Sequence, residues 1–406
     1  MAVRPRPETS GLKGSYILIG VADGTLLPFI PLLLFERGLS APLIGAVLAA
    51  SAVTALAAGL GWAYLADRRL RPERIVVVAS AASAVAAAVL AVSSGALALA
   101  AAIVALSLAR SPLTLVDPIA LRRLRIARRT HYARIRLRMS AGFAASTIAA
   151  GALYQALGVK LTPLVYAPLS ALVGLWVWGA LKPARPDEAS EAEPGPALPG
   201  RVSKIPLAML GFLVSCFLLG ASLAATGNFL TLQINLLGGG ALLVGAAAAF
   251  QALTEIPTMG YTHVLTRHLS HRALFAIGCA IYVVVFMAWA FVSSPVIAAL
   301  LKLIIGVAFA LTYVASVVIA DELTPARLRA TGQALVKSVT FGLAPIAGSL
   351  GGGLIYGTVG PRAMFLAATA VVGAAGLIAL VAVPVQARRG AGGAVVPVAE
   401  PAQATP

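Results

Sequence analysis

Charge is scarce in this sequence: Asp, Glu, Lys and Arg make up 11% of its 406 residues. A soluble globular domain carries roughly 25%, so the shortage excludes an ordinary water-facing surface. Cysteine is nearly absent. Cys216 and Cys279 both fall in apolar runs, which leaves no disulfide framework and no C-x-x-C metal site, and both read as small packing residues. The four histidines, His131, His263, His268 and His271, fall at the predicted ends of apolar segments without convergent ligand spacing, so no metal site is expected. There is no P-loop, no G-x-S-x-G elbow and no H-E-x-x-H, and Gly59-x-Gly61 lies inside an apolar run; enzyme readings find no motif.

Apolar bulk is what remains. Hydrophobic residues make up 60% of the chain and mean hydropathy is +0.93, more apolar surface than the interior of a fold this size can hide. Lipid must be the main solvent. Ala, Gly, Leu and Val dominate, and such small residues let helix backbones approach closely. Runs of about twenty residues, the length that crosses a bilayer, fall at 15–35, 43–65, 75–93, 96–117, 137–157 and 162–181. A second set follows at 206–230, 241–264, 273–293, 295–319, 331–357 and 362–383. Met1 to Lys13 is polar and basic and no A-x-A site follows the first run, so that run is expected to stay as a helix.

The basic residues test this division. Of 31 Lys and Arg, only Arg37, Lys160 and Arg362 fall in loops that lie outside if both termini are cytoplasmic. Arg110, Arg136, Arg138, Lys302 and Lys337 lie within spans, and the others all fall in cytoplasmic loops or tails. The net charge of +17 is therefore the positive-inside signature of a multi-pass protein of the plasma (inner) membrane, and nucleic acid is not an expected partner. The halves also echo each other. Ala133-Arg134-Ile135-Arg136 matches Ala326-Arg327-Leu328-Arg329, and Arg68-Arg69-Leu70 matches Arg267-His268-Leu269, both at nearly half the chain length. The expected fold is an all-α membrane protein with twelve transmembrane helices in two pseudo-symmetric six-helix bundles, residues 1–181 and 205–385. A Pro- and acid-rich cytoplasmic linker, 182–204, joins them, and 386–406 reads as a disordered tail.

Several motifs carry a family likeness. Tyr64-Leu65-Ala66-Asp67-Arg68 with Arg71 follows the second span, Thr25-Leu26-Leu27-Pro28-Phe29-Ile30-Pro31 ends the first, and Tyr132-Ala133-Arg134-Ile135-Arg136-Leu137 with Ser140, Gly142 and Phe143 opens the fifth. Glu255-Ile256-Pro257 and Leu323-Thr324-Pro325 to Ala330-Thr331 add to them. With these the chain resembles the major facilitator superfamily, within it the branch of lactose permease, other oligosaccharide:proton symporters and phenylpropionate-type permeases; Ala63 and Leu70 stand where that superfamily usually has glycine. The resemblance implies a gating loop at Asp67 and Arg68, and solute binding at Asp117 and Arg136 with an aromatic contact at Phe143. Lys302 matches the lysine of the permease tenth helix, but Ile305 and Ala308 replace its His and Glu, so any proton relay must use other carboxylates.

Charges inside spans cost about 2.5–3.5 kcal/mol each on insertion scales, so they are kept where they pair, line a cavity or move protons. An arginine fork at Arg136 can grip hydroxyls or a carboxylate while Asp117 holds it in the empty site; the alternative is an ion pair that only locks two helices. Phe143 is seven residues on and shares its face, for substrate stacking or for packing. Arg110, seven residues before Asp117, is expected on the same face, about 10 Å away, and extends the cationic lining. Arg138 reads as an interface anchor. Asp23, between Gly20 and Gly24, is a proton carrier or a partner for Lys337. Glu255, one turn from Gln251, is a proton carrier or a partner for Lys302.

The expected function is a secondary active transporter that moves a small polar solute, an organic acid or a sugar, by alternating access with proton coupling. Arg136, Asp117, Phe143 and Arg110 would bind solute, and Asp23, Glu255, Lys302 and Lys337 would couple protons. Basic residues in the spans outnumber acids five to three, which favours an acid as substrate. The alternatives are an uncoupled facilitator, an exporter of drugs or metabolites, and a solute-sensing receptor. No cofactor is expected beyond the proton gradient, and the partners are lipid and solute around a monomer.

Overall fold

The computed structural model describes residues 7–68, 71–126, 132–181, 206–266, 268–325 and 328–384; the expected linker 182–204 and tail 386–406 lie outside them. Every regular element among the described residues is helical. Eleven helical segments are long and apolar enough to cross a bilayer: α1 (Ser10–Glu36), α2 (Ala41–Ala66), α3 (Pro72–Val92), α4 (Ala96–Leu124), α6 (Val159–Ala180), α7 (Leu207–Leu236), α8 (Gly240–Thr262), α9 (His271–Phe291), α10 (Pro295–Leu323), α11 (Thr331–Thr358) and α12 (Pro361–Ala382). Between α4 and α6 runs α5 (Tyr132–Leu157), whose early arginines lower its hydropathy; its 26 residues span about 39 Å at 1.5 Å per residue. It packs between α1 and α8 as a twelfth membrane-length helix.

The two bundles repeat the same packing. In the first, α1 lies on α5 and α6, and α3 on α4 and α6; in the second, α7 lies on α11 and α12, and α9 on α10 and α12. Single residues repeat with it. Phe29 meets Tyr154 edge-on with centroids 4.9 Å apart, and Phe229 stacks on Tyr356 at 5.3 Å, partners set 200 and 202 residues further along. Gly38 and Gly238, which end α1 and α7, both hold the left-handed backbone, φ 87° and 86°, where a Cβ would be strained. This is internal duplication at atomic scale, more direct than the loop motifs.

Between the bundles, α2 crosses α11 and α5 crosses α8. Gly45 lies against the Ser349 carbonyl and Gly245 against the Thr147 carbonyl, a symmetry-related pair of crossings at which any Cβ would strike backbone. Along α11, Gly348 and Gly352 rest on α7, and Gly353 and Gly357 on the start of α2. All these contacts lie at the end of the molecule away from Ala180 and Leu207, where the linker attaches. Toward the linker end the bundles part, with open space beside Gly59 and Gly61 and Tyr64 and Tyr261 exposed.

Prolines interrupt three helices where function gathers. Pro28 and Pro112 each sit in a 3₁₀ turn, Leu27–Phe29 and Ser111–Leu115. Val339–Leu343 forms a π turn just before Pro345; the missing N–H and the ring's clash with the carbonyl four residues back account for it.

Candidate functional site

A cavity of about 420 Å³ lies between the bundles, walled by α1, α5, α7, α8 and by Lys302 of α10. Glycines bring its walls together. Gly20 and Gly24 place α1 against the backbone of Met139 and Phe143, and Gly142 of α5 meets the Ile17 carbonyl in return. This close crossing puts Asp23 and Phe143 on one surface of the cavity.

Of three ion pairs in the first bundle among the described residues, Arg123–Glu73 ties α4 to α3 at 3.1 Å and the other two involve candidate site residues. Arg110 donates to Asp23 Oδ1 at 2.5 Å, with both side chains mostly buried, and its guanidinium lies 5.7 Å from the Tyr166 ring centroid. This agrees with one expectation and corrects another. Arg110 and Asp117 both turn toward α1, Arg110 to Asp23 and Asp117 to Tyr16 seven residues earlier, as their own seven-residue spacing predicts. Asp23 takes Arg110 as its partner, and Lys337 is exposed. In the second pair, Arg136 donates to Asp117 Oδ2 at 2.8 Å while the buried Tyr16 hydroxyl donates to Oδ1 at 2.6 Å. Arg136 and Asp117 are 55% and 37% exposed, so this pair is reachable from the open side. Asp117 lies within α4, which continues to Leu124, and not at its boundary.

The second bundle is arranged differently. Gly306 of α10 packs on the Gln251 carbonyl and the Glu255 amide of α8, and the Thr254 hydroxyl donates to the Leu303 carbonyl at 2.6 Å. That crossing sets Lys302 Nζ 2.9 Å from Gln251 Oε1 and 5.9 Å from the Trp289 ring centroid. Glu255 lines the central cavity. Among the described residues no ion pair joins it to Lys302 within 4.0 Å, which corrects the pairing weighed from sequence. Ile305 and Ala308 are buried in packing. A second cavity of about 300 Å³ opens beside the first, sharing Gly227, Gln251 and Lys302 with it and lined by Phe286, Trp289, Phe309 and Phe341.

Asp67 and Arg68 end the helix that contains α2. No group of three metal-ligating side chains occurs among the described residues. Sequence reasoning missed Tyr16 and the aromatic pocket. The clustered Tyr282, Phe286, Trp289 and Phe291, in a chain with 6% aromatics, were the available signal for the pocket.

Comparison with known proteins adds to this geometry. A family model described as "MFS_1 like family" matches residues 10–367. Maltose permease of Geobacillus stearothermophilus is 26% identical over 330 residues, 81% of this chain and 82% of that one. Among solved structures, nucleoside transporter NupG superposes with a TM-score of 0.78 at 19% identity, covering 92% of this chain and 98% of its own. A POT family transporter in complex with 5-aminolevulinic acid superposes at 0.74 with 12% identity, covering 93% and 96%.

Proposed function

This chain belongs to the MFS_1 like family of membrane transporters, and from that membership we propose that it is a proton-coupled secondary transporter of a small polar solute, an organic acid or a sugar. The observation that carries the reading is a central cavity lined by Asp23, Glu255 and Lys302, between two bundles that touch at one end and part at the other. Such a cavity can be offered to either side in turn by rocking one bundle on the other. The maltose, nucleoside and 5-aminolevulinic acid of the similar proteins are all small and polar, which fits.

In this reading Arg136 and Asp117 grip the solute, with Phe143 two turns further along α5 as an aromatic contact and Arg110 holding α1 in place. Asp23, Asp117 and Glu255 carry the proton; Lys302 and Lys337 are the cations that influence when it leaves. Asp67 and Arg68 lie at the loop that gates the open end. No cofactor takes part, and the driving force is the proton gradient across a plasma (inner) membrane. The Lys/Arg distribution puts both termini and the linker in the cytoplasm, which makes the open end the cytoplasmic one. The protein works as a monomer surrounded by lipid.

The test is counterflow in proteoliposomes with labelled sugars, organic acids and nucleosides, with and without a pH gradient. Exchange of at least one class, accumulated only under the gradient, is expected. Exchange that ignores the gradient identifies an uncoupled facilitator, and exchange of none contradicts transport of these solutes.

A further inference from the structure

Where α3 begins and α4 ends, at the open side of the first bundle, Arg123 Nη2 meets Glu73 Oε1 at 3.1 Å. The second bundle repeats this contact 198 and 199 residues further along, where His271 Nδ1 of α9 lies 2.7 Å from Glu322 Oε1 of α10. The charges are exchanged. Glu73 near the start of α3 gives way to His271 on α9, and Arg122-Arg123 near the end of α4 give way to Asp321-Glu322 on α10. Helix dipoles favour acids at N-termini and cations at C-termini. Glu73, in the first turn of α3, and Arg123, in the last turn of a helix that runs to Ile126, comply. His271 in the first turn of α9 and Glu322 in the last turn of α10 oppose their own helices. The second contact is also the wetter, with side chains 26% and 20% exposed against 14% and 8%.

The charges around it have other engagements. Helix α9 packs on α10 and α12. Its own Arg272 donates to the Leu380 and Val383 carbonyls at the end of α12, and α12 has no titratable group after Arg362 at its far end. On α10, Asp321 meets Arg329, which starts the helix containing α11, at 3.4 Å. Glu255 of α8 lines the central cavity, and His268 and Lys337 are exposed. Arg267, Arg327 and the side chain of His263 lie outside the described residues.

We propose that His271 and Glu322 form a proton-operated clasp that senses the acidity of the water at the open end and, when protonated, holds that end open. The proposal goes beyond the transport reading and rests on it for the alternation that the clasp regulates. Histidine is the side chain that ordinarily changes charge between pH 5 and 8. With the imidazole protonated, opposite charges tie α9 to α10 in the arrangement seen here. With it neutral, one hydrogen bond at most remains, and hydrogen bonds between charged groups are roughly twice as strong as neutral ones. The clasp is therefore complete below the histidine range and weakens as pH rises through it. Its release frees the end of α10 that Asp321 and Arg329 join to α11, the helix that crosses to the first bundle. Arg123 and Glu73 stay charged throughout, so the first bundle is the fixed frame. Uptake driven by protons would in this way slow itself, because acid delivered to the cytoplasm holds the cavity inward.

Spin labels at Tyr64→Cys/Tyr261→Cys span the open end from α2 to α8, at positions that are exposed, while the native Cys216 and Cys279 are buried. Distances between them are measured by double electron–electron resonance on the full-length protein in lipid nanodiscs at pH 6 and pH 8, with no gradient and no solute. The ratio of open to closed populations should be about threefold higher at pH 6, the size of effect a partly exposed ion pair supplies. His271→Gln and Glu322→Gln should each remove that response, and His271→Arg, charged at both pH values, should keep the open population high at both. The two-pH comparison needs no clasp variant to fold. A ratio that ignores pH, one that moves the other way, or a response that survives either Gln variant overturns the clasp. A single distance population under every condition removes alternation as well, whereas two populations in a pH-independent ratio remove the clasp and leave the transport reading standing.

Discussion

Arg110 of α4 and Asp23 of α1 form an ion pair at 2.5 Å although 87 residues separate them in the chain. With side chains only 17% and 16% exposed, the pair joins two helices of the first bundle beside the central cavity. Its energetic meaning lies in what happens when one partner goes.

Arg110→Gln strands the Asp23 carboxylate in the membrane interior. Breaking a buried pair from one side costs about 3–5 kcal/mol, whereas removing both charges costs much less. Thermal unfolding of purified protein should therefore show Arg110→Gln well below wild type and Asp23→Asn/Arg110→Gln substantially recovered. A double variant no more stable than the single one would show that the pairing is not the source of the loss.

Asp117 is held from two sides, by Arg136 and by the Tyr16 hydroxyl. Arg136→Lys keeps the charge but loses the planar fork, so solute affinity should fall about tenfold or more, the range for charge-assisted hydrogen bonds. Tyr16→Phe removes one hydrogen bond to the carboxylate and should cost less, about two- to tenfold. Equilibrium binding of whichever solute counterflow identifies provides the measurement, and unchanged affinity in both variants would place the solute elsewhere.

Coupling is predicted to separate from exchange. Ile305 and Ala308 are buried apolar residues that cannot carry a proton, so under the proposed coupling the carriers are the remaining membrane carboxylates. Asp117→Asn, Glu255→Gln and Asp23→Asn should still allow counterflow, and at least one of them should lose accumulation driven by a pH gradient. Full accumulation in all three would assign the proton to another group.

The crossings at Gly45 and Gly245 bring backbone against backbone. A valine at either position cannot be accommodated with the crossing closed, so that end of the molecule should fail to seal. Uptake in Gly45→Val and Gly245→Val is expected to drop at least tenfold with normal membrane insertion. Near-normal uptake in both would mean that the crossings need not close.

How much of this was readable in the sequence depended on range. The twelve spans were legible because a bilayer demands apolar runs of fixed length, and the structure's helices follow the expected segments, with α4 and α7 extending a turn or two beyond. Asp117, Arg136, Phe143 and Glu255 were legible as candidates because charge and motif mark them. Their partners were not. The Asp23–Arg110 pair joins α1 to α4 across 87 residues, and Lys302 meets Gln251 because Gly306 lets α10 settle on α8. Tyr16 looks like any aromatic in an apolar run until α1 and α4 are side by side. Helical periodicity within one segment holds no information about these meetings between segments.

The central claim is alternation, and a bridge across the closed end tests it most directly. The Leu242 amide of α8 donates to the Gln155 side chain of α5 at 3.3 Å, so Gln155→Cys/Leu242→Cys sets two thiols on opposite bundles, while the native Cys216 and Cys279 stay buried. Linked by a short reagent that reducing agents cleave, this variant should lose solute counterflow in proteoliposomes and regain it on reduction. Undiminished counterflow with the bridge intact would contradict alternating access through this end.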